Sequence, residues 1–257
     1  MTKINKPDID VLHSLVSKIK TTLESGFGQV YIEDKKDSLS GEVQSENTNN
    51  LDFTLFKLEQ TNEPIYKKIN SPDDLLKIKE EIKKEYQNTI DDFQDLLDKV
   101  EDQLELKVVE SLEIIGKTLL NRKKKLDSSF KKFKIEDSWS IGEVQNEFGR
   151  LLVKQLKDIL ESIMPSVNIG IKTNNVFDKV LVILNSFYSF LGIYTKEFNI
   201  GDDISNMTSY IEIIQMQNDE IKNISFKDKV SYVGSLAYLF EEEVIIVEAE
   251  VSVWRVS

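Results

Sequence analysis

From Asp73 through Ile115 the chain contains neither glycine nor proline, and its apolar residues hold one helical phase throughout. Ile78, Ile82, Tyr86, Ile90, Phe93, Leu97, Val100, Leu104, Val108, Leu112, Ile115 and Leu119 each lie three or four residues from the next. The mean step is about 3.7 residues, close to the ~3.6 of an α-helix. Ser71-Pro72-Asp73-Asp74 supplies the start. The serine hydroxyl can accept from a free helix N–H, proline tolerates the first position because its missing N–H is not needed there, and the acids face the positive dipole end. The pattern predicts one amphipathic helix of roughly 45 to 60 residues, about 70 to 90 Å long. Such a rod does not fit inside a compact domain, so its stripe requires a partner helix, from this chain or from a second copy.

The flanking segments read more simply. Asp8 to Leu23 carries Val11, Leu12, Leu15, Val16, Ile19 and Leu23 on one helical face, and Gly26 and Gly28 end it. Residues 34–50 are polar and charged with almost no apolar content, the composition of a linker. Leu51 to Leu58 fits a strand or a helix equally. Val144 to Met164 is an amphipathic helix that Pro165 is expected to stop. Asn175 to Leu191 is more apolar and central, with Gly192 placed to end it in the left-handed conformation. Tyr194 to Asn206 reads as a loop around Gly201-Asp202-Asp203, followed by a mixed apolar stretch at Tyr210 to Met216 and a polar turn at Gln217 to Asn223. In the tail, Val247, Ala249, Val251 and Val253 alternate with Glu248, Glu250, Ser252 and Trp254, the period-two pattern of a half-buried strand.

The expected fold is thus mainly α: a long amphipathic helix plus a helical bundle, with a small C-terminal β domain. Residues 1–70 form a short helix and an acidic, polar linker, 71–192 the long helix and bundle, and 193–257 the C-terminal loop and β domain.

Several function classes are disfavoured. Lys plus Arg number 33 against 45 Asp plus Glu, a net charge of −12, which repels nucleic acid and bare anionic membrane. The absence of cysteine removes disulfides, thiolate metal sites and cysteine nucleophiles. His13 is the only histidine, so one chain assembles neither a histidine-pair metal site nor a Ser-His-Asp triad. Asp202-Asp203 lacks the spacing of a Ca²⁺ loop and reads as a solvated loop tip. Glu241-Glu242-Glu243 reads as a charged hairpin turn, and no glycine loop for phosphate is present. A non-enzymatic protein without metal or cofactor is expected. The N-terminus lacks a secretory pattern and no stretch approaches ~18 apolar residues, so no membrane association and a cytoplasmic location are expected.

One segment is locally basic. Between Asn121 and Lys134 stand Arg122, Lys123, Lys124, Lys125, Lys131, Lys132 and Lys134 with a single acid, Asp127, and Phe130 and Phe133 are interleaved. Bases could stack there. The overall acidity favours a solvated helix end whose phenylalanines face the bundle.

The order of elements resembles GrpE, the nucleotide exchange factor of DnaK-type chaperones: a disordered N-terminus, a very long helix, bundle helices and a small terminal β domain. The final strands of that family carry a Gly-Tyr, a short turn and a Val-Leu-Arg-Pro-Ala-x-Val-x-Val run. Here Ala237-Tyr238 is followed by the glutamate turn and by Ile245-Ile246-Val247-Glu248-Ala249-Glu250-Val251-Ser252-Val253. The helix ending in Leu191-Gly192-Ile193 is similar to the family's last bundle helix, and Phe198 before Asp202-Asp203 to its Phe-Asp-Pro. Val247-Glu248 stands where the family has Arg-Pro, and residues 135–174 hold a helix the family does not need. The resemblance implies a cytoplasmic homodimer, joined through the long helix, whose β domain opens a DnaK-like ATPase and releases ADP. It places Phe198, Tyr238, Ala249 and Val251 in the partner-binding domain. The alternative is a non-catalytic coiled-coil interaction or scaffold protein.

Overall fold

A computed structural model of the protein describes residues 53–218 and 228–255, all within one compact unit spanning Asn49–Ser257. The helix expected at Asp8 to Leu23, His13, the linker over 34–50 and most of the turn at Gln217 to Asn223 lie outside the described residues.

The single long helix is replaced by a hairpin. Helix α1 spans Pro72–Val100, a 3-10 turn follows at Glu101–Gln103, and α2 spans Leu106–Lys132. The start reads as the sequence implies: the Ser71 hydroxyl accepts from the Asp74 N–H. The two helices run antiparallel, with the Lys79 ammonium donating to the Phe133 carbonyl at 3.1 Å and the Tyr86 hydroxyl to the Leu119 carbonyl at 3.3 Å. Neither glycine nor proline marks the reversal; Leu104 and Glu105 simply adopt extended backbone, at ψ 152° and 143°. The stripe has a phase but no preferred partner, and it closes on itself. Phe93 and Leu97 on one side and Leu112, Ile115 and Leu119 on the other become buried, each contributing about 1.5–3 kcal/mol. The turn forgoes a few helical hydrogen bonds of about 0.5–1.5 kcal/mol each, and closure within one chain avoids the ~4–15 kcal/mol cost of association. Of the two partners the stripe allowed, a helix of this chain or of a second copy, the structure supplies the first.

Helix α3 spans Ile141–Ile171 and α4 spans Val176–Leu191. A capping box opens α3, the Glu143 N–H donating to the Ser140 hydroxyl while the Glu143 carboxylate accepts from the Ser140 N–H at 2.7 Å. These bonds, the one to the backbone first, hold the Glu143 carboxyl below the usual glutamate range. The expected stop at Pro165 does not occur. Proline in a helix costs about 3 kcal/mol, but Val167, fully buried, and Gly170 hold the next turn against the core. Each helix packs on the next and α4 returns to α1, closing a ring of four. The segment before α1 joins this core. It forms 3-10 turns at Phe53–Phe56 and Ile65–Lys68, so the ambiguous Leu51 to Leu58 stretch is neither α-helix nor strand where described. Ile65, Tyr66 and Ile69 are buried, and the Gln145 amide on α3 donates to the carbonyls of Lys67 and Ile69.

Six strands follow: β1 (Tyr194–Lys196), β2 (Ile211–Asn218), β3 (Val230–Val233), β4 (Ala237–Glu241), β5 (Val244–Val247) and β6 (Ala249–Arg255). The loop expected from Tyr194 therefore begins as a strand. One sheet has the order β1-β4-β5 with antiparallel pairs; the other has the order β2-β6-β3, with β2 parallel to β6. Strand β4 is buried on both faces. Leu236, Tyr238 and Phe240 join the helical core, while Ala237 and Leu239 join a second core with Ala249, Val251 and Val253. The first sheet is accordingly a middle layer between helices and second sheet. Glu242 and Glu243 form the exposed turn between β4 and β5, as their charge implies.

Where the helices meet the sheet, Tyr188 is fully buried and its hydroxyl has no hydrogen-bond partner among the described residues. Burial first, then the nearby Tyr238 and Tyr86, pushes its ionisation well upward. A buried, unpaired hydroxyl costs about 1–3 kcal/mol. Tyr188→Phe is expected to leave stability unchanged or raise it by about 1 kcal/mol, read as the midpoint of urea unfolding. A lowered midpoint would show that the hydroxyl has a partner after all.

Candidate functional site

The four tail residues singled out by sequence are all interior. Phe198, Ala249 and Val251 pack in the core between the two sheets, and Tyr238 lies on the helix-facing side of β4, its ring 6.0 Å from that of Tyr188. Burial raises the Tyr238 hydroxyl's pKa above its ordinary value. These side chains shape the β unit but present nothing to a partner; contacts have to come from their outward neighbours.

The outward neighbours are clearest on β2, an edge strand of the second sheet. Its register places Ile211 opposite Ala249 and Glu212 opposite Glu250 and is then interrupted by an irregularity between Ile213 and Gln215. A bulge adds a residue to one strand and re-aims its side chains. Ile213 and Ile214 are 39% and 50% exposed, flanked by the exposed carboxylates of Glu212 and Glu250. An edge strand carrying exposed isoleucines is a template for a partner. Sequence reasoning passed over this pair, although two adjacent isoleucines within Ile211-Glu212-Ile213-Ile214 break a strict alternation and so signal the irregularity.

The aspartates of the preceding loop act as staples. Asp202 accepts from the Asn199 N–H at 2.7 Å, and Asp203 from the N–H and hydroxyl of Ser205. The bonds from Ser205 hold the Asp203 carboxyl below the usual aspartate range. Among the described residues no three His, Asp or Glu side chains are grouped to hold a metal ion, and no helix is long and apolar enough to cross a membrane.

The basic segment ends α2. Arg122 is engaged with Asp158 and the Ser162 hydroxyl, each at 3.2 Å, and Lys123 with Asp127 at 2.9 Å. Lys124, Lys125, Lys131 and Lys132 are exposed. Phe130 is buried and packs on Phe148, as does Phe133, so the phenylalanines do face the bundle. What the segment alone does not reveal is its neighbour on α3. Arg150, Lys154 and Lys157 form an exposed row along that helix, and Arg150 and Lys154 line one groove together with Lys132 and Lys134. The spacing of that row, four residues and then three, is the sequence signal that would have found it.

No protein-family model, curated protein or solved structure matches this chain.

Proposed function

We propose that the chain is a GrpE-like co-chaperone of the cytoplasm that promotes ADP release from a DnaK-like ATPase through its C-terminal β unit. The observation that carries this reading is the convergence of the residues that bear the resemblance: Phe198, Ala249 and Val251 share one core, with Tyr238 on the strand behind it. A dimer is not required by it, because the stripe that needed a partner helix, from this chain or a second copy, is buried within the chain. The factor acts by differential binding: it prefers the open, nucleotide-free ATPase and shifts the population towards that state. Ile213 and Ile214 are the proposed contact, with Glu250 beside them where the sheet turns acidic.

The test is the rate at which a labelled ADP leaves a DnaK-like ATPase. Ile214→Glu is expected to remove most of the acceleration, about tenfold or more, with an unchanged melting temperature because the side chain is half exposed. No acceleration by the unaltered protein at saturating concentration ends the exchange reading.

A further inference from the structure

We propose that the groove between the end of α2 and the first half of α3 binds a short acidic peptide segment that carries one apolar anchor side chain. The groove, of about 540 Å³, is rimmed by Lys132, Lys134, Arg150 and Lys154 and includes the half-buried rings of Phe133 and Trp139. One acid lies in it, Glu147, and it is bonded to Arg150 at 2.7 Å. Lys132, Lys134 and Lys154 have no ion-pair partner among the described residues. In a chain of net charge −12 this is a local reversal of sign.

A further cation stands against the Phe133 that the groove contains. Lys79 is only 7% exposed and has no carboxylate partner among the described residues; its ammonium donates to the Phe133 carbonyl and stands 4.9 Å from the centre of the Phe133 ring. Burial, and then the neighbouring Lys83, lowers its pKa. Its charge is held by the Phe133 carbonyl and ring and adds to the positive character around that residue. The rings fix the nature of the rest of the ligand. An anion alone needs only the lysines, whereas Phe133 and Trp139 offer an apolar surface that becomes buried only when the ligand brings an apolar group. Length is bounded by charge: interactions are screened beyond about 8–10 Å, so a short segment senses the groove, while a long polyanion runs on to the acidic remainder of the surface.

The experiment uses the full chain and three labelled peptides, one glutamate-rich with a central leucine, one with that leucine replaced by serine, and one with lysines for glutamates, followed by fluorescence anisotropy. The leucine peptide is expected to bind at least tenfold more tightly than the serine peptide, and the lysine peptide not at all. Lys132→Glu combined with Lys154→Glu, both exposed and expected to leave the melting temperature unchanged, should weaken the leucine peptide about tenfold or more. Equal binding of the leucine and serine peptides, indifference to the double charge reversal, or tighter binding of a single-stranded oligonucleotide that the reversal abolishes would each overturn the assignment. None of these outcomes depends on nucleotide release.

Discussion

Deletion of Tyr232–Ser257 is expected to abolish the cooperative unfolding of the helical part, so that the truncated chain shows no sharp thermal transition by far-ultraviolet circular dichroism. The tail is not an appendage. Leu236, Tyr238, Phe240 and Ile246 belong to the same buried core as the four helices. Phe240 packs edge-on against Tyr66 at 5.4 Å and Tyr238 against Tyr188 at 6.0 Å. Truncating one large buried side chain costs about 2–5 kcal/mol, and losing four together meets or exceeds the roughly 5–15 kcal/mol by which a domain is stable. The deletion also removes β6, the central strand of the second sheet, cuts β3 down to Val230 and Ser231, and leaves β2 unpaired. A truncated chain that keeps a sharp transition and its helical signal would contradict this packing. Loss of exchange activity on truncation is therefore no proof that the tail touches a partner, and surface changes such as Ile214→Glu are the informative ones.

Gly192→Ala is expected to destabilise the protein by about 3 kcal/mol or more, through two separate penalties. The first is local: Gly192 ends α4 at φ 81°, in the left-handed region, where a side chain costs about 1–2 kcal/mol. The second is a collision. A Cβ at this position would stand 2.6 Å from the Glu63 carbonyl oxygen and 2.9 Å from the Pro64 Cα, both backbone atoms. Relief requires moving the Glu63–Pro64 strand of chain, which leads into Ile65, Tyr66 and Ile69 in the core. Gly192→Asn separates the two penalties, because asparagine tolerates the left-handed region but carries the same Cβ. Both variants should lower the urea midpoint, asparagine by less than alanine because it keeps only the collision. If asparagine is well tolerated and alanine is not, the backbone approach is not tight and only the dihedral matters.

Gly192 also illustrates how far the sequence reaches. An apolar helix followed by glycine predicts the left-handed cap, since that rule concerns a few consecutive residues. The close approach of Glu63, more than a hundred positions earlier, leaves no local mark. Ser71, the glutamate turn and the buried Ala249, Val251 and Val253 of β6 were legible for the same reason as the cap, whereas Ser252, read on the wet face, is buried as well. Pro165 was misread because a proline's cost is local, while the burial of Val167 that offsets it comes from other helices. The 3-10 turns over residues 53–70 were hidden because short irregular segments have no period to read. In the candidate sites, the Ile213-Ile214 pair left a weak trace as a broken alternation. The groove left almost none, as its cations come from two helices that only the hairpin and α3 bring side by side.

By itself the sequence determined most of the buried positions of the helices, the start of α1 at Ser71-Pro72, and that a mainly helical chain ends in a β unit. Those properties follow from periodicity and from end chemistry, which act over a few residues. The tertiary structure alone decided what each buried face meets. The stripe from Ile78 to Leu119 turns back on itself at Glu101–Gln103 because burial within one chain avoids the entropy lost in association, and no residue in the turn announces it. The same packing placed Phe198, Tyr238, Ala249 and Val251 inside, turned Ile213 and Ile214 outward, and gathered Lys132, Lys134, Arg150 and Lys154 around Trp139.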